Sequence, residues 1–201
     1  MPARLAIVIF CGLFLGISAG WFYLSTGRAV LFQDYRTVTT GTARVGGPFQ
    51  LIRHDKRPTT EADFRGFYML VFFGATRSPE LTPAGLQTMT GALEALGSQS
   101  ERFVPLFVTV DPEWDQPDRL AKFIRRYHPR MVGLTGNRDQ VAAVTKSYHV
   151  HSSRVRGNST ASDVVDHTAL IYLMDTHGAY VTHFSYGTPV AEIVERLRQL
   201  P

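Results

Sequence analysis

The chain has 201 residues, a formal net charge of +4, and 44% hydrophobic and 19% charged residues. That composition suits a globular protein with one sizeable core and excludes a disordered or fibrous chain. The positive charge is spread along the sequence instead of gathered into runs, which speaks against nucleic acid as a partner.

Residues 1–4 are a short N-terminal segment. Residues 5–24, LAIVIFCGLFLGISAGWFYL, carry no charge, and at about 1.5 Å per residue they match the roughly 30 Å of hydrocarbon in a bilayer. They are predicted to form a transmembrane helix. Ile17-Ser18-Ala19 loosely resembles a signal-peptidase site, but apolar and aromatic residues continue past it to Leu24, so the reading is an uncleaved anchor. Arg4 precedes the span and Arg28 and Arg36 follow it, which leaves its orientation open on charge. The only cysteine, Cys11, lies inside the span as a small apolar residue, so the domain beyond has no thiol, no disulfide and no thiol redox chemistry.

Residues 25–47 read as a polar linker, and residues 48–201 as one folded domain. In chain order the domain predicts a short strand over Phe49–Arg53, then Tyr68–Phe73, an apolar run typical of a strand buried on both faces. A helix carrying Leu86, Met89, Leu93 and Leu96 follows. Thr82 is its expected N-cap, with Pro83 at the first helical position, or Ser78 caps it one turn earlier. Next come a strand over Val104–Val110, a helix opening at Asp115-Gln116-Pro117, a short strand at Val132–Leu134 and a helix after Asn137. His149–Val155 reads as extended, Arg156–Asp163 as a loop, and Ala169–Met174 and Tyr180–Phe184 as strands joined by a turn. Thr188-Pro189 opens a last helix. Strands alternating with helices, then a hairpin and a final helix, give an α/β fold with the element order of a thioredoxin-like domain.

Several strings carry a family resemblance: GGPFQL from Gly46, DFRG from Asp63, VTVDPEWDQP from Val108, YHPRMVGLTG from Tyr127, VDHTALIYLMD from Val165 and HFSYGTP from His183. From Gly46 to the C-terminus the chain resembles the Sco/SenC family. The resemblance implies a membrane-anchored, thioredoxin-fold copper protein that serves assembly of the copper centre of cytochrome c oxidase. The location would be the bacterial periplasm, or the mitochondrial intermembrane space in a eukaryote. The implied partner is a respiratory oxidase subunit or another assembly factor. The family's signature is a CxxxC pair in a string like GFTHCPDVCP, with a distant histidine as third copper ligand. Here GATRSPELTP holds Ser78 and Thr82 at the two cysteine positions, and Arg77 where histidine is usual. His167 keeps the place of the ligand histidine and Asp111 that of the aspartate in TVDP. The resemblance therefore implies a natural degenerate member.

Soft thiolates select copper(I), whereas serine and threonine offer hard, un-ionised hydroxyls. No tightly bound cofactor is expected, and any copper would be weakly held. Arg77 beside a helix N-terminus would repel a cation and favour an anion or acidic partner. His149 and His151 would share a face if their segment were a strand, and with His167 could form a copper(II) site. The simpler reading makes them exposed polar residues. His54, His128, His177 and His183 read as solvated side chains, and Met131 and Met174 as core. Ser78 with His167 and Asp111 or Asp166 supplies the residue types of a hydrolase triad, but the GxSxG elbow is absent.

Overall fold

The structure, a computed structural model, describes residues 44–155 and 164–201. Ala43–Pro201 forms one compact unit. The predicted span, residues 5–24, lies outside the described residues, among which no helix is long and apolar enough to cross a membrane. The loop predicted over Arg156–Asp163 likewise falls outside them.

The elements are β1 (Gln50–Arg53), β2 (Pro58–Thr60), β3 (Tyr68–Gly74), α1 (Leu81–Leu96), β4 (Phe103–Thr109), α2 (Pro117–Ile124) and β5 (Val132–Thr135). They continue with α3 (Arg138–Ser147), β6 (Ser152–Val155), β7 (Val164–His167), β8 (Leu170–Met174), β9 (Tyr180–Ser185) and α4 (Val190–Arg198). One sheet has the order β2-β1-β5-β4-β3-β8-β9, and β6 and β7 form a separate antiparallel ribbon. β4 runs parallel to both β3 and β5, and β8 joins β3 antiparallel with Phe72 opposite Ile171.

The period-2 geometry of β3 divides the core. Tyr68, Leu70 and Phe72 pack with α1, α2 and α4 through Leu86, Leu93, Leu120, Ile193 and Leu197. Met69, Val71 and Phe73 face the other layer, with Leu51, Phe64, Val141 and Val144. Each large apolar side chain buried this way stabilises the fold by about 1.5–3 kcal/mol relative to exposure. Helix α1 approaches β3 closely because Gly85 has no Cβ; one there would sit 2.4 Å from the Phe72 ring. Met131 and Met174 are core residues, as read from the sequence.

Capping explains α3 well. The Asn137 side chain accepts from the Gln140 amide at 2.8 Å, and the Gln140 side chain accepts from the Asn137 amide at 2.9 Å. The start of α1 differs from both expected starts. Its N-cap position is Glu80, with no side-chain cap bond, and Thr82 lies inside the first turn. Strands β2 and β7 were not predicted; three or four residues each give too short a period to stand out.

Two of the four histidines read as solvated have structural roles. The Nδ1 of His54 accepts the Gly133 amide at 3.1 Å, and the Nδ1 of His128 accepts the Arg130 amide at 3.2 Å. Burial lowers the pKa of both. His183 lies on β9, where the Tyr180 hydroxyl and its Nδ1 are 2.6 Å apart.

Candidate functional site

The central parallel strands end together. β3 stops at Gly74, and the Val110 amide donates to the Gly74 carbonyl at 2.8 Å. The antiparallel register of β8 brings its first residue, Leu170, to the same end of the sheet. Four connections therefore meet there, after β4, after β3, before β8 and after β9. This end of an open α/β sheet is where such folds place ligands.

GATRSPELTP makes the turn from β3 into α1. The Thr82 hydroxyl, fully buried, accepts the Ala75 amide at 3.2 Å. Gly74 permits this approach, because a Cβ there would lie 2.6 Å from the Thr82 Oγ1. The Ser78 amide donates to the Ala75 carbonyl at 3.0 Å, and Ser78 is only 4% exposed. The expected capping hydroxyls thus sit elsewhere: Thr82 reaches back to hold the loop, and Ser78 is tucked under it.

The VDPEWDQP segment braces this turn. Asp115 is completely buried and accepts the Thr109 hydroxyl at 2.6 Å, the Thr76 amide at 3.0 Å and the Thr76 hydroxyl. Burial raises its pKa above the ordinary carboxylate value, against the hydrogen bonds from Thr109 and Thr76 that favour the anion. Its raised folded-state pKa adds stability that is greatest below the ordinary value and is lost as pH rises through the raised one.

Arg77 is committed internally. Its Nε and Nη2 donate to one oxygen, Oδ2 of Asp111, at 3.1 and 2.6 Å. The Asp111 side chain is 0% exposed and that of Arg77 22%. The Arg77 guanidinium also lies over the Trp114 ring, 4.7 Å from its centroid. This corrects the expectation of a free cation at the helix terminus. The sequence shows the charge of Arg77 but not that Asp111, 34 residues later, meets it.

The histidines divide. His149 has φ 55°, with its amide bonded to the Lys146 carbonyl, so it ends α3 in a left-handed turn and is not in a strand. The expected shared face for His149 and His151 is therefore absent, although both are exposed. Glycine suits that turn better than histidine. His149→Gly is expected to raise stability by about 1 kcal/mol, read by urea denaturation. At backbone level His167 pairs with Ser152 across the ribbon, and the Thr168 amide donates to the His151 carbonyl at 3.0 Å. Cα atoms of β7 come within 8 Å of those of β3.

Chemically, the loop offers hydroxyls where a copper(I) site needs thiolates. The Thr82 oxygen is already used by a backbone amide, and the Asp111 carboxylate is held by Arg77. These residues do not fit a copper(I) ion. Among the described residues no three potential ligands of the His, Cys, Asp or Glu type cluster to hold a metal. Nor does the geometry favour a serine hydrolase. Ser78 is buried and Asp111 is paired with Arg77, while the side chains of Asp166 and His167 lie outside those described. Thr76, Trp114 and Asp115 are site residues that sequence reasoning missed. For Trp114 and Asp115 the one signal is the acid-rich string after β4, and Thr76 lies in the GATRSPELTP turn itself.

The SCO1/SenC family model matches residues 37–201. The mitochondrial SCO2 homologue of Homo sapiens is 32% identical over 202 residues, covering 98% of this chain and 76% of that protein. A SCO2-like protein of Rickettsia prowazekii is 32% identical over 192 residues, covering 94% and 93%. Among solved structures, copper-bound ScoI of Bradyrhizobium japonicum is 33% identical with a TM-score of 0.71, covering 77% of this chain and 98% of that one. Copper-bound yeast Sco1 is 31% identical with a TM-score of 0.70, covering 79% and 91%. Both are thioredoxin-like in the manner of the fold described above.

Proposed function

Since the chain belongs to the SCO1/SenC family, and the Sco family comprises cytochrome c oxidase assembly proteins, we propose that it acts in that pathway by docking and not by thiol-based copper(I) transfer. Residues 5–24 anchor it, and the domain faces the periplasm, or the intermembrane space in a eukaryote. The partner is an oxidase subunit or another assembly factor. The single observation that carries this reading is the loop after β3. Ser78 and Thr82 stand where the family pattern has cysteines, and Arg77 and Thr82 are built into the fold.

Affinity isolation of the full-length protein from detergent-solubilised membranes tests it. Oxidase subunits or assembly factors are expected to co-isolate equally well with and without a copper(I) chelator. Recovery that collapses on copper depletion would oppose docking without metal, and absence of every such protein would oppose the pathway.

A second reading, a copper(II) carrier using His167 with His151, draws on the bond from Thr168 to the His151 carbonyl, which sets the two backbones side by side. His149, turned into a left-handed helix end, contributes less naturally to such a site.

A further inference from the structure

We propose that Trp114, with Arg77 and Arg119 stacked over its ring, anchors a docking surface for a short acidic segment of a partner protein. This inference rests on the docking reading above and specifies where and by what chemistry docking occurs.

Trp114 is 42% exposed, yet it is firmly placed. The Arg77 guanidinium lies 4.7 Å and the Arg119 guanidinium 3.8 Å from the centroid. Arg77 is fixed by buried Asp111, and Arg119 by donating to the Trp114 carbonyl at 2.9 Å. An exposed tryptophan held in one orientation has already lost the rotamer freedom that binding would otherwise cost. Tryptophan and arginine are also the side chains on which interface energy concentrates.

Charge selects the partner. The Arg77 cation is answered by Asp111 at 2.6 Å, the Arg138 cation by Glu113, and the Lys56 cation by Asp118 at 3.0 Å. Arg119 differs: among the described residues no carboxylate lies within 4.0 Å of it, and its one hydrogen bond goes to a backbone carbonyl. The Trp114 indole N–H likewise has no acceptor among the described residues. Adjacent unanswered donors, one of them charged, complement a carboxylate.

The position of the other exposed aromatics sets the length of the segment. Among the described residues, Phe67, Trp114, Tyr180 and Tyr186 are the exposed large hydrophobics. β9 runs in the same direction as β3, so Tyr186, which follows β9, lies at the site's end of the sheet with Trp114. Phe67 precedes β3 and Tyr180 opens β9, at the opposite end. Trp114 follows β4, and β4 and β9 are separated by β3 and β8 in the sheet, a span of about 14 Å at ordinary strand spacing. An extended segment of about five residues crosses it. Its carboxylate would meet Arg119 and the indole, and an apolar side chain would rest on Tyr186.

A benzophenone photo-crosslinker placed at Tyr186 of the full-length protein in its own membranes tests the proposal, with a second one at Phe67 as the opposite-end control. The expected adduct at Tyr186 maps to a segment rich in Asp and Glu on an oxidase subunit or assembly factor. Its yield is expected to fall about fivefold or more with Trp114→Ala or Arg119→Glu and to be largely kept with Arg119→Lys. Circular dichroism shows whether each variant is folded, and Trp114→Phe provides a milder change. An adduct to lipid, to a second copy of this chain or to a segment without acids overturns the proposal. So does a yield indifferent to Trp114→Ala and Arg119→Glu. Adducts to an assembly component at Phe67 alone would sink this surface but leave docking standing, whereas none at either position sinks both.

Discussion

Replacing Arg77 by methionine is expected to destabilise the Ala43–Pro201 unit by about 3 kcal/mol near neutral pH. Methionine keeps the unbranched stem against Trp114 but removes both donors to Asp111 Oδ2, leaving a carboxylate with 0% side-chain exposure without its cation. Desolvation of the carboxylate is then no longer offset by attraction to the guanidinium. Urea denaturation near neutral pH reads the loss. Adding Asp111→Asn should restore most of the loss by removing the buried charge that Arg77 balanced. A loss under about 1 kcal/mol would mean that the pair is an incidental contact.

The alternation of the fold was readable because its central elements carry redundant signals. Tyr68–Phe73 is apolar at every position and became β3, buried on both faces. Pro117 and Asn137 marked the starts of α2 and α3 through backbone geometry and a capping side chain. The site was legible only in part. The strings around Ser78, Asp111 and His167 identified the family and the missing thiols, because these depend on residue identity alone. Pairings across the fold were not legible. Nothing local shows that Arg77 is neutralised by Asp111, that Thr82 turns back to Ala75, or that Asp115 is buried among threonines. His149-Val150-His151 misled for a different reason. Alternation implies a shared face only in a strand, and the left-handed turn at His149 ends a helix instead.

The change Ser78→Cys with Thr82→Cys is expected to create a dithiol copper(I) site in the loop after β3. The two positions are one helical turn apart in sequence, Thr82 lies in the first turn of α1, and the backbone of His167 reaches the same end of the sheet. Both swaps nearly conserve volume. The structure adds one cost: the Thr82 hydroxyl is the acceptor for the Ala75 amide, and a thiol accepts more weakly, so about 1 kcal/mol of stability should be lost. Because Arg77 is held on Asp111, its charge is largely cancelled and opposes an incoming cation little.

Copper(I) competition against a chromophoric chelator, on full-length protein carrying Cys11→Ser to remove the remaining thiol, puts the central claim to measurement. The protein with Ser78 and Thr82 intact is expected to leave the copper with the chelator. The double-cysteine variant should take one equivalent roughly a thousandfold more tightly, a difference of about 4 kcal/mol, and weaken again with His167→Ala. If the protein retaining Ser78 and Thr82 competes at dithiol strength, it carries copper by some other ligand set, and the account of a docking factor without thiol-based transfer is wrong.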